Sequence, residues 1–241
     1  MRFGELTFED IREKARAGWL AVVPTGCTEQ QGPHLPVDFD TWFVQEVTTA
    51  AADLAATKFG VHALVLPAMP FGPTPEHRNF GAGFVDVPAE LHDRLVASVL
   101  DSLAAQAFRR IVVWRGCGQH RLDRVVAEFN AAHAGGVRAS LPELPYHDIW
   151  VRVGLRDVPS GHADSFATSI ALYLRPGAVR ADRIHDPKSS PVDSSDPNLD
   201  FFRYSPTGVI GDPTHASADL GRRLWTEIVE AAARAFKAAA E

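Results

Sequence analysis

Short apolar runs at residues 19–23, 63–66 and 111–114 are separated by stretches far too long for a hairpin, and this spacing constrains the fold more than any other feature. The first run is closed by Pro24 and Gly26, and none of the three alternates apolar with polar residues, so each reads as a strand buried on both faces. Residues 41–59 are rich in alanine and other helix formers; after Pro88, Leu91, Leu95, Val99 and Leu103 recur at four-residue spacing. Both stretches are predicted helices, as are residues 122–134 and a segment beginning near Ala216. Strands joined by helical crossovers run parallel. The expected fold class is therefore α/β, a single domain over residues 1–241 with a mostly parallel central sheet flanked by helices.

A chain with 46% hydrophobic and 22% charged residues has the composition of a compact domain. Its formal net charge of −6 offers no basic face to a phosphate backbone, so nucleic acid is not an expected partner. Two cysteines, Cys27 and Cys117, are too few for a disulfide scaffold at this length and suit a reducing cytoplasm. No apolar stretch approaches the ~20 residues of a membrane span, and the first ten residues lack a signal peptide's apolar run. The expectation is a cytoplasmic protein without a membrane partner.

Chemistry is concentrated where strands end. Residues 24–40 leave the first strand as a Gly/Pro-rich loop holding Glu29, His34, Asp38 and Asp40, a set able to hold a divalent ion; the bland alternative is a turn whose Asp40 caps the next helix. Residues 115–120, Arg-Gly-Cys-Gly-Gln-His, likewise hand a strand over to a helix, and open α/β sheets bind ligands at such carboxyl ends. Residues 186–206 form a long excursion rich in Ser, Pro and Asp.

These segments resemble the creatininase (creatinine amidohydrolase) family. Gly26, Glu29, Gln30, Gly32, Pro33, His34, Leu35, Pro36 and Asp40 match its first signature, G-S-x-E-Q-H-G-P-H-L-P-x-x-x-D. Four more segments follow in order: residues 75–80 resemble E-H-x-x-F, 115–120 stand at N-G-H-G-G-N, 161–169 resemble H-A-G-x-x-E-T-S, and 208–213 resemble G-x-x-G-D-P. The resemblance implies hydrolysis of a C–N bond in a small amide, formamide or cyclic amide by a homo-oligomeric enzyme carrying two divalent metals. It maps the first metal to Glu29, Asp40 and Cys117. The second maps to Asp40, Gln31 and either Gln119 or Ala167, where the family's donors are missing. One zinc, on Glu29, Asp40 and Cys117, is therefore expected in place of two metals, with no metal as the alternative.

His34, His120 and His162 are candidate proton carriers; each has a structural alternative, as a loop hydrogen bonder, a solvent-facing residue at a helix start and a helix cap respectively. Cys117, at a strand-to-helix junction, is also a candidate nucleophile for a metal-free hydrolase, cyclase or lyase, or simply a small buried hydrophobe. Gln31, Gln119, Glu76, His77 and Trp150, with neighbouring Tyr146 and His147, are candidate substrate contacts. Arg115 is expected either to pair with a substrate anion or to place its guanidinium beside Asp40 in lieu of a metal. Loss of hydrolysis, leaving a metabolite-binding or partner subunit, is the reading from a different class.

Overall fold

The computed structural model describes residues 1–193, 196 and 198–241. Four parallel strands, β1 (Leu20–Thr25), β2 (Ala63–Val65), β3 (Arg110–Arg115) and β4 (Arg138–Ser140), form one sheet in the order β2-β1-β3-β4. Three are the apolar runs of the sequence. The fourth was hidden because Arg138 and Ser140 flank a single buried alanine on an edge strand. Eight helices accompany them among the described residues: α1 (Phe8–Arg16), α2 (Phe39–Phe59), α3 (Ala89–Ala105), α4 (Asp123–Ala132), α5 (Tyr146–Arg152), α6 (Ser165–Leu174), α7 (Phe201–Tyr204) and α8 (Ala218–Ala240).

Alternation along the strands divides the core in two. Leu20, Val22, Val112 and Trp114 pack with α2, α6 and α8, whereas Ala21, Val23, Ile111 and Val113 pack with α3 and α4. Register pairs Ala21 with Ile111 and Val22 with Val112, so like residues from neighbouring strands share a face. Each buried valine or leucine stabilises the fold by roughly 1.5–3 kcal/mol, which explains why the strands lack polar residues until their ends.

Helix α2 begins at Phe39, two residues before the expected start, and ends on Gly60 in the left-handed conformation (φ 67°). The excursion over 186–206 contains, among its described residues, the single-turn helix α7; residues 194, 195 and 197 lie outside the described set. No helix among the described residues is long and apolar enough to cross a membrane.

Helices α6 and α8 approach so closely that a Cβ on Gly221 would overlap the carbonyl oxygen of Ser169. Alanine favours an isolated helix over glycine by about 1 kcal/mol, yet here Gly221→Ala is expected to destabilise the protein by about 1–3 kcal/mol through overpacking. Urea unfolding measures it, and an unchanged or higher midpoint would show that the two helices do not pack this way.

Candidate active site

The carboxyl ends of β1 and β3 carry one pattern twice, Thr25-Gly26-Cys27 and Arg115-Gly116-Cys117. Thr25 and Arg115 are register partners, so two further residues on each strand bring both cysteines of the chain to the same place, buried and unbridged. Glycine permits this. A Cβ on Gly26 would stand 2.6 Å from Thr41 Cα, and one on Gly116 would stand 2.7 Å from the Thr25 carbonyl oxygen. Helix α2 can therefore press against the strand ends, and its first turn delivers Asp40. Cys27 Sγ donates to Asp40 Oδ2 at 3.5 Å, and Cys117 Sγ to Glu29 Oε2 at 3.7 Å.

Asp40 is not the cap of α2. Asp38 occupies that position without a side-chain bond to the helix, its carboxylate accepting instead from Arg175 at 3.1 Å, while the Asp40 carboxylate accepts from Gln31 Nε2 at 2.6 Å. The same nitrogen donates to Glu29 Oε1 at 3.3 Å, so the Gln31 amide spans the two acids. A metal takes an amide through its oxygen, and here the NH₂ faces the carboxylates.

Burial would raise the Glu29 carboxyl, but the polar contact with His77 and, when the rings are protonated, the charges of His77 and then His162 outweigh it and hold Glu29 near 2. Asp40, buried and beside that anion, is pushed well above the usual carboxylate range. The Cys27 bond favours the Cys117 thiolate, yet burial and the charges of Glu29, Asp40 and Glu76 push the thiol up to about 12. Two acids and two thiols thus share a largely buried site with too little positive charge. This disfavours Cys117 as a free thiolate nucleophile and suits a cation-binding set.

Two histidines flank Glu29. Gln30 is oriented by Gly32 N–H donating to its Oε1 (2.9 Å) and by its own Nε2 donating to the Gly208 carbonyl (3.1 Å), so Nε2 also faces His77 Nδ1 at 3.1 Å as a donor. His77 must then carry its proton on Nε2, which lies 3.4 Å from Glu29 Oε2 and 3.6 Å from Glu76 Oε1 without the geometry of a hydrogen bond to either. His162 is the reverse. Its Nε2 donates to the Gln30 carbonyl at 2.7 Å, leaving Nδ1 as an acceptor 3.4 Å from Glu29 Oε1. Burial lowers His162 to about 4, so this is the neutral ring, with a lone pair facing a carboxylate.

The later motifs hold this arrangement together. His162 exchanges backbone hydrogen bonds with Ile210, and Gly208 (φ 82°) lies where a Cβ would overlap Gln30. The cap of α6 is Asp164, not His162: its carboxylate accepts from Phe166 and Ala167 N–H at the helix start and from Gly161 N–H at 2.7 Å.

A cavity of about 490 Å³ opens over the cluster. Glu29, Gln31, Asp40, Glu76, Cys117 and His162 reach it, as do Arg115, Gln119, Tyr146, His147 and Trp150; Phe39, Phe43, Phe166 and Phe201 supply apolar wall. Ala167 offers only a methyl group there. Arg115 is turned to Glu143 (3.3 Å) and the His120 carbonyl (3.5 Å), so it does not stand in for a metal beside Asp40. Three candidates lie off the cavity. His34 is buried with Nε2 on Thr168 Oγ1 at 2.8 Å, because its loop packs against α6. His77 sits behind Glu29. His120 is fully buried, not solvent-facing, because the chain turns inward after Cys117 and its ring fits against Gly72, where a Cβ would stand 2.5 Å from Cε1. Cys27, Gln30 and Asp164 escaped the sequence reading as site residues, although the repeated Gly-Cys after two buried strands was visible for the first.

A parallel sheet with an acidic, thiol-bearing cavity at its carboxyl edge defines an α/β protein whose candidate site lies where such sheets bind their ligands. Residues 4–236 match the family model described as creatinine amidohydrolase, and the chain belongs to this creatininase family, whose members are hydrolases acting on C–N bonds. It is 33% identical over 220 residues to a mycofactocin precursor peptide peptidase of Mycobacterium tuberculosis (strain ATCC 25618 / H37Rv), covering 87% of this chain and 81% of that one. To the creatinine amidohydrolase of Pseudomonas putida it is 25% identical over 254 residues, covering 97% and 95%. A solved creatininase mutant of Zn–Zn type superposes with a TM-score of 0.78 at 24% identity, covering 98% and 97% of the two chains. A structure described as creatininase Mn gives 0.78 at 23% identity, with the same coverage.

Asp164→Ala removes the cap of α6 and a tie to Gly161, so it is expected to cost about 1–2 kcal/mol, with Asp164→Asn restoring most of the loss. Chemical denaturation of the two variants checks this; equal stability of Asp164→Ala and wild type would count against the capping role.

Proposed function

We propose that this chain hydrolyses the C–N bond of a peptide-like or small cyclic amide in the cavity above Cys117, using one divalent metal, zinc, held by Glu29, Asp40 and Cys117. The observation that carries the reading is two overlapping sets of buried donors that share Glu29 at the cavity floor, Cys27, Glu29 and Asp40 in one and Glu29, Glu76 and Cys117 in the other, each with ligand atoms within 4.8 Å of one another. Thiolate and carboxylate donors suit zinc. Such an ion supplies carbonyl polarisation and a lowered pKa for water.

The surrounding residues do the rest. His162, neutral and fixed through Nε2, offers Nδ1 at the cavity wall as a proton acceptor and returns the proton to the leaving nitrogen. His77 holds Glu29 in place. The aromatic walls, Trp150 included, receive the apolar part of the substrate, and Gln119, His147 and Arg115 present polar groups to it. The amide of Gln31, already shared between Glu29 and Asp40, together with Gln119 and Ala167, supports one ion where the resemblance implies two. We assign the protein to the cytoplasm, as a homo-oligomer.

Purified protein from zinc-replete expression is expected to hold about one zinc per chain and to cleave members of a panel of formamides, cyclic amides and short peptides. Chelator should abolish turnover and zinc restore it, while Asp40→Asn should lower kcat/KM at least ~100-fold. Metal-free protein without turnover, or turnover indifferent to chelator, would overturn the reading in favour of a binding subunit or of metal-free chemistry.

A further inference from the structure

The donors around Cys117 extend beyond those the cavity shows. On the side away from the cavity, the ligand atoms of Cys27, Cys117 and His120 all lie within 4.8 Å of one another, and all three residues are buried. His120 is fully buried, yet neither Nδ1 nor Nε2 has a hydrogen-bond partner; its neighbours are the His92 ring, 4.7 Å away, and the backbone of Gly72. A buried imidazole with both nitrogens unsatisfied is an anomaly that packing does not repair, because one nitrogen must be a lone-pair acceptor in the neutral ring. Two thiols and an imidazole with unpartnered nitrogens form a soft donor set of the composition that zinc takes in a three-ligand site.

We propose that Cys27 and His120 join Cys117 as donors to the metal, making the centre of this chain a two-sulfur, one-imidazole site with the Glu29 and Asp40 carboxylates at its open side. The inference rests on the reading that Cys117 carries an ion, but not on turnover. Neither Cys27 nor His120 corresponds to a metal ligand implied by the family resemblance. Thiolates favour zinc, cobalt and cadmium over manganese and magnesium, so this centre should discriminate against manganese where an oxygen-rich one would not.

Zinc X-ray absorption on the full-length wild-type protein requires no variant, and is expected to show two sulfur neighbours at about 2.3 Å; one or none would overturn the proposal. Cobalt(II) loading provides the second readout. Wild type should show thiolate-to-cobalt charge-transfer absorption, Cys27→Ser about half of it, and His120→Gln the full band with at least ~10-fold weaker metal binding. An ion lost on Asp40→Asn but spectroscopically indifferent to Cys27→Ser would overturn this inference and leave amide hydrolysis standing. A two-sulfur ion in a protein that cleaves no amide would uphold the inference and remove the hydrolytic reading.

Discussion

Glu29 and Asp40 are buried side by side, and the rest of the site is arranged around that unfavourable juxtaposition. Two carboxylates in a dry pocket repel each other and lose their hydration, a cost that protein atoms must offset. Here the offsets are individually small: the shared amide of Gln31, the Nε2 proton of His77, and two S–H groups. None carries a permanent positive charge. Arg115, whose guanidinium lines the cavity, is turned to Glu143. A divalent ion would relieve the repulsion and the raised pKa of both thiols together, since the same cation lowers the energy of every anionic donor around it.

The backbone that produces this crowding is simple. Adjacent parallel strands in register, each followed by Gly-Cys, place two sulfurs next to each other, and the absent Cβ atoms at 26 and 116 let the first turn of α2 close over them. Orientation comes from farther away. Gln30 reads the Gly208 carbonyl on one side and fixes the proton of His77 on the other, while its own carbonyl fixes the tautomer of His162. A single glutamine thus couples the first loop, the turn at 74–80 and the closing turn at 208–213 through hydrogen bonds whose direction allows little choice.

Much of this was legible in the sequence, for identifiable reasons. Three strands were visible because burial on both faces leaves no room for polar residues, and the long helices because their caps and spacing are local. The edge strand β4 was not, since a three-residue strand with one buried side chain carries no period. Glu29, Asp40 and Cys117 could be picked out by type and by place in the chain. Proton positions could not, because they depend on contacts between residues as far apart as Gln30 and Gly208. His34 and His120 matched or adjoined motif positions, yet the first is engaged by Thr168 and the second faces away from the cavity; direction of a side chain is set by packing, which spacing does not encode.

The substitutions that weaken one ion site and the features that enrich the other belong to a single change in donor character. With Gln31 presenting its NH₂ to the acids and Ala167 offering a methyl group, these two positions add no metal donor on the cavity side. The opposite side gains: Cys27 brings a second sulfur, His120 brings an imidazole with unengaged nitrogens, and Gly72 provides the space in which that ring sits. Sulfur donates more charge to a metal than carboxylate oxygen does, so an ion bound by two thiolates is a weaker Lewis acid than one bound by carboxylates alone. In the proposed two-sulfur centre, polarisation of a substrate carbonyl would therefore depend more heavily on the cavity's low dielectric and on groups such as His162, whose orientation is set by its hydrogen bond to the Gln30 carbonyl.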